Sequence, residues 1–145
     1  MNTAKRILAS KKIATVFTIG PDATVYDAVK LMAEKGIGGL LVTEGERIAG
    51  IVTERDYARK IILMGRASKE TRVRDIMTAK VLYVSPDQTS EECMAIMTQS
   101  RVRHLPVLDG DKLVGLLSIG DLVKDIISEQ RFTIEQLEHY IRGER

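Results

Sequence analysis

The chain has 145 residues, 44% hydrophobic and 29% charged, an ordinary globular balance that excludes wholesale disorder. Its 22 Lys and Arg against 20 Asp and Glu leave a net charge of +2, too small to argue for nucleic acid from charge alone. No apolar run approaches a membrane span, and the charged first twelve residues lack the apolar stretch of a secretory signal.

Residues 16–19 form a short β-branched run closed by Pro21, the pattern of a strand. Thr24-x-x-Asp27 opens a helix as a capping box, with Val25, Ala28, Val29 and Met32 on one face and Gly36 as its stop. Residues 40–42 and 47–52 flank Glu44-Gly45-Glu46 as a hairpin, and a helix follows Thr53. After a basic connector the series recurs. Residues 81–84 read as a strand, Thr89-x-x-Glu92 as a capping box, and Cys93, Met94 and Met97 as a buried helix face. Residues 105–108 and 112–117 flank Asp109-Gly110-Asp111, and a helix follows Ser118. Thr133-Ile-Glu135 reads as a third capping box, opening a separate short tail helix with Ile134, Leu137 and Ile141 on one face; packing of that face on its own chain is the favoured expectation.

A shift of 65 residues superposes 16–64 on 81–129 without a gap, with 12 of 49 positions identical, so the chain is an internal duplication. The expected organisation is an N-terminal extension at 1–15, repeat one at 16–64, a connector at 65–80, repeat two at 81–129, and an amphipathic tail helix at 130–145. Charge by segment is +4, −1, +3, −4 and 0, so the basic excess lies outside the repeats. Each repeat is too small to bury a comfortable core alone.

Enzyme signatures fail. Gly45 and Gly50 have phosphate-loop spacing, but Ile51-Val52 replaces the Lys-Ser/Thr that holds phosphate and metal. His104 and His139 are 35 residues apart with no ligand-spaced companion, which argues against zinc. Cys93 is the only cysteine; it sits on a helix face expected to be buried and suits a reducing cytoplasm. The informative pair is Gly50-Ile-Val-Thr53-Glu-Arg-Asp56 and Gly115-Leu-Leu-Ser118-Ile-Gly-Asp121. Read structurally, Ser/Thr-x-x-Asp is a capping box and the glycine accommodates a bulge. Read functionally, the helix start offers N–H groups to phosphate, and an aspartate one turn in can accept from a ribose diol. Arg101-Val-Arg103-His104 adds cations in repeat two, where repeat one has Gly36-Ile-Gly38-Gly39.

The duplication, Val73-x-Asp-Ile-Met-Thr78, Arg103-His-Leu-Pro-Val107 and the two Gly-x-x-Ser/Thr-x-x-Asp endings resemble tandem cystathionine-β-synthase (CBS) domains, two of which form a Bateman module. The resemblance covers roughly residues 5–129. It implies an α+β fold of two βαββα units packed sheet to sheet about a pseudo-two-fold axis, with two clefts for adenosine derivatives: AMP first, NAD or ATP as alternatives. By position, Asp56 and Asp121 would hold ribose, and Thr53 and Ser118 would contact phosphate or ribose. Val16 and Val81, with Thr18, Lys80 and Tyr83 beside them, would enclose adenine. Arg103 and His104 would meet phosphate in one cleft and Arg55 in the other. Gly38, Gly39 and Leu41 replace Arg103, His104 and Pro106 in repeat one, so the clefts are not equivalent.

The expectation is thus a cytoplasmic, non-enzymatic nucleotide sensor without a catalytic cofactor. It would act as a homodimer, a state suggested by Tyr26, Met64 and Ile127 on helix faces, or through a regulated protein partner that the sequence does not name. One rival is a structural protein with vestigial clefts. Another is a nucleic-acid module using Arg66, Lys69, Arg72 and Arg74, against which the low aromatic content and balanced charge count.

Overall fold

The computed structural model describes residues 2–11 and 15–143; the expected extension and tail reach residues 1, 12–14 and 144–145, which lie outside them. In chain order the elements are α1 (Ala4–Ser10), β1 (Thr18–Ile19), α2 (Val25–Lys35), β2 (Gly39–Glu44), β3 (Arg47–Thr53), α3 (Glu54–Tyr57), α4 (Ser90–Ser100), β4 (His104–Asp109), β5 (Lys112–Ser118) and α5 (Ile119–Ile141). A π-helical turn, Ala58–Ile62, follows α3, and a 3-10 turn covers Val73–Asp75. This is an α+β fold in two compact units. One is Thr15–Val81; the other joins the chain's start to the residues from Leu82 onward.

In the first unit β1 pairs parallel with β2, and β2 pairs antiparallel with β3. α2 begins at Thr24, whose hydroxyl accepts from the Asp27 N–H, and ends at Gly36, whose positive φ of 64° releases the chain from the helix. Val25, Ala28 and Met32 on one face of α2 pack with Leu40, Val42 and Val52. Val73 and Ile76 close the bottom of that core. The second unit repeats the plan: β4 pairs with β5, and Cys93 and Met97 of α4 pack with Leu105, Val107, Leu117 and Leu122. Cys93 is therefore a core thiol, and burial raises its pKa above the ordinary value.

Three expectations change. Residues 81–84 do not form a strand; Val84 alone bridges Val107, donating to Pro106 O and accepting from Leu108 N–H. One residue satisfied on both sides is all the pairing that this segment makes. The tail is not a separate helix, because α5 continues unbroken to Ile141. The Thr133 hydroxyl donates to Glu129 O one turn back instead of capping a new start. Nor does the tail pack on its own chain: Ile134, Leu137 and Ile141 are exposed.

The supposed extension and connector turn out to be counterparts. Ala4 N–H donates to Gln88 O and Lys5 N–H to Pro86 O; Val73 N–H donates to Ala23 O and Arg74 N–H to Pro21 O. Ala4 and Ile7 are buried in the second unit as Val73 and Ile76 are in the first. Each repeat is completed by a segment that precedes the other in the chain.

Candidate functional site

Both hairpins deliver a hydroxyl to a helix start. Thr53 accepts from the Asp56 N–H at 3.2 Å, and Asp56 Oδ2 accepts from the Thr53 N–H at 2.9 Å and its hydroxyl at 3.1 Å. Ser118 accepts from the Asp121 N–H at 3.2 Å, and Asp121 Oδ2 accepts from the Ser118 N–H at 2.8 Å. The capping boxes are therefore real, and they determine where the carboxylates lie. The next N–H in each is also taken: Glu54 donates to Gly38 O at 3.0 Å and Ile119 to Arg103 O at 2.8 Å. Two of the first three helical N–H groups are thus spent within each unit, fewer than the free set expected from sequence. Helix length separates the copies further. α3 and the π-helical turn that continues it span residues 54–62, whereas α5 runs unbroken for 23 residues.

Two lysines complete the picture, neither of them singled out from sequence. Lys60 Nζ lies 3.3 Å from Asp56 Oδ1 and donates to Ile76 O at 2.7 Å. Lys11 Nζ lies 2.9 Å from Asp121 Oδ2 and donates to Leu116 O at 2.9 Å. Each repeat thus holds an Asp–Lys pair anchored to a backbone carbonyl, though the lysines come from unrelated positions. Lys60 is readable at i+4 from Asp56; Lys11 is 110 residues from Asp121 and only the docking of α1 brings it there. In the first unit both carboxylate oxygens are engaged. In the second, Asp121 Oδ1 has no hydrogen bond among the described residues.

His104 stands opposite Ser118 across the β4–β5 ladder. Its Nδ1 is buried without a hydrogen bond among the described residues. Burial lowers its pKa below the ordinary imidazole value, against the raising influence of Asp121, so the ring is neutral at pH 7. Arg103 is exposed beside it, and the second unit therefore collects Lys11, Arg103, His104, Ser118 and Asp121 around one helix start. The first unit brings together Gly38, Gly39, Thr53, Arg55 and Asp56, with Gly39 opposite Thr53 and Thr18 opposite Leu41. Pro106 is buried in β4 opposite Leu116. Val16 and Val81 are half-buried, whereas Thr18, Lys80 and Tyr83 are exposed, and no hydrogen bond ties these five side chains to either cluster.

The basic connector is less available than its charge suggested. Arg74 clasps Asp22 Oδ1 at 2.9 and 2.6 Å, Arg72 reaches the same oxygen at 3.3 Å, and Lys69 lies over the Tyr26 ring. Arg74 holds the Asp22 carboxyl below its ordinary pKa. Among the described residues no three His, Cys, Asp or Glu could jointly hold a metal ion, and no helix is long and apolar enough to cross a membrane.

Comparison with known proteins supplies the family. The CBS domain model matches residues 7–63 and 73–128, and the chain belongs to the CBS-domain family as a tandem pair. It is 46% identical over 127 residues to the CBS domain-containing protein CBSX3, mitochondrial, of Arabidopsis thaliana, covering 84% of this chain and 62% of that protein. The chain thus spans less than two thirds of that relative. A solved CBS-domain structure from Burkholderia ambifaria is 62% identical, with a TM-score of 0.86 over 89% of this chain and 96% of that one. The CBS domain pair of protein MJ0100, solved with 5′-methylthioadenosine and S-adenosyl-L-methionine, has the same fold at 21% identity, with a TM-score of 0.77 over 89% of this chain and 98% of that one.

Proposed function

We propose that this CBS pair is a non-enzymatic sensor of adenine nucleotides, with AMP the first choice and NAD or ATP the alternatives. The observation that carries the reading is the Asp121 cluster. A half-buried carboxylate keeps one oxygen without a hydrogen bond among the described residues at the start of a long helix, with Lys11 paired to it and Arg103 exposed at the strand end, its carbonyl taking the Ile119 N–H. A ribose diol suits the free carboxylate oxygen, and a phosphate suits the cations and the helix end. The Asp56 counterpart is the weaker site, because both its oxygens are engaged and its helical run passes into a π turn after one turn. The adenosine ligands of the MJ0100 pair support the ligand class. Val16, Val81, Thr18, Lys80 and Tyr83 are proposed for the adenine end.

Occupancy is passed to a homodimer or to a regulated protein, since a ligand transmits a signal only by favouring one arrangement over another. Tyr26, Met64 and Ile127 are exposed as the dimer requires. The reducing setting proposed from Cys93 suits the cytoplasm, while CBSX3 is mitochondrial by name.

Calorimetric titration of nucleotide-free wild type and Arg103→Ala with AMP and adenosine tests the phosphate assignment. Arg103→Ala is expected to weaken AMP by about 10- to 100-fold, equivalent to one charge-assisted contact of ~1.5–3 kcal/mol. Adenosine is expected to change little. Equal losses for both ligands would remove Arg103 from phosphate recognition, and no binding of either by wild type would reject the reading itself.

A further inference from the structure

α5 carries a second pattern that the nucleotide reading leaves unused. Leu122 on one side is buried in its own unit. Val123, Ile127, Gln130, Ile134, Leu137 and Ile141 follow one another at spacings of four, three, four, three and four. At about 100° per residue these six fall in a stripe roughly 80° wide. Its five apolar members are between 43% and 81% exposed. A sustained 3.5-residue period is the signature of a coiled-coil seam, in which each side chain is buried by a facing helix.

We propose that a second copy of this chain covers the seam, with its α5 running antiparallel. Val123 then meets the partner's Ile141, Ile127 meets the partner's Leu137, and Gln130 meets the partner's Ile134; two-fold symmetry supplies the other three layers and closes the contact on itself. Charge selects the direction. Lys124, Arg131 and Glu138 flank one side of the seam, and Ile126, Thr133 and Tyr140 the other. Antiparallel helices bring like flanks together, so Lys124 lies beside the partner's Glu138 twice, which outweighs the single meeting of Arg131 with the partner's Arg131 at the two-fold. Parallel helices bring unlike flanks together, where no opposite charges meet. Sliding the antiparallel pair by one heptad loses two of the six layers, which fixes the register. The proposal gives a surface to the homodimer of the preceding reading and rests on that reading only for stoichiometry; it needs no nucleotide.

Sedimentation of the full chain at tens of micromolar tests it. Wild type is expected at about twice 16.1 kDa. Leu137→Glu places a carboxylate in two layers and is expected to weaken association by a hundredfold or more, giving monomer. Leu137 is exposed, so the variant should keep its far-ultraviolet circular dichroism. Lys124→Glu is expected to weaken association by roughly tenfold, and adding Glu138→Lys to restore it to within about threefold. A wild-type dimer that Leu137→Glu leaves intact overturns the seam while the homodimer stands, and a wild-type monomer overturns both. A double charge swap no tighter than Lys124→Glu overturns the antiparallel pairing.

Discussion

Replacing Gly50 with Ala is expected to destabilise the protein by about 3 kcal/mol, combining overpacking with the weakening of two backbone hydrogen bonds. A Cβ there would lie 2.7 Å from Thr78 O and 2.8 Å from Met77 Sδ. Thr78 cannot simply retreat, because its N–H and C=O both bond to Ile51, at 2.9 and 3.0 Å. Ile76, two residues before it, is part of the core, and Met77 packs against that core. The same change at Gly115 meets the Leu8 side chain, its two methyls at 2.7 Å and its Cγ at 3.3 Å, rather than backbone. Gly115→Ala is therefore expected to cost less than about 1.5 kcal/mol. For a chain of this size the Gly50 variant should melt roughly 6–12 °C lower. Denaturant titration of both variants checks the contrast, and equal losses would mean that the connector is not held as the structure shows.

Asp121→Ala is expected to have the next largest effect, about 2–3 kcal/mol, because one carboxylate serves two purposes. It accepts from the Ser118 N–H and pairs with Lys11, whose side chain is only 24% exposed. Its removal strands a partly buried cation and half of a cap. If the same carboxylate reads ribose, the variant should also bind AMP more weakly and lose discrimination between AMP and 2′-deoxy-AMP. That discrimination is expected at about five- to a hundredfold in wild type, the worth of one hydrogen bond to a charged group. A variant that melts lower yet keeps the wild-type ratio would leave Asp121 as a cap and ion-pair residue alone.

Much of this was legible because it is local. The helix starts at Thr24, Thr53, Thr89 and Ser118 each announce themselves through a hydroxyl three residues ahead of an acid, and all four hydroxyls accept as read. The hairpin turns carry Gly45 and Gly110 at positive φ, where other residues are strained. What was not legible is long-range. The kinship of Ala4–Ile7 with Val73–Ile76 needs a shift of 69 residues, four more than the repeat itself, so a gapless comparison cannot show it. Lys11 became visible only through that packing. Thr133 misled for the opposite reason: its local pattern suits a cap, but an uninterrupted helix gives its hydroxyl a carbonyl one turn back. Within the site, sequence placed Asp56 and Asp121 at equivalent points, but could not show that Lys60 engages the second oxygen of one while Oδ1 of the other has no hydrogen bond among the described residues.

The most direct test of the nucleotide-sensing account is the thermal melting of verified ligand-free protein against AMP, ADP, ATP, NAD and S-adenosylmethionine, with a guanine nucleotide as control. A ligand at a hundredfold excess over its dissociation constant adds about 2.7 kcal/mol, a rise of very roughly 5–10 °C for a chain of this size. The account predicts such a rise with AMP or another adenine nucleotide and little with the guanine control. Unchanged melting with every adenosine compound at millimolar concentration would contradict it and leave the Ser/Thr-x-x-Asp pairs as helix caps.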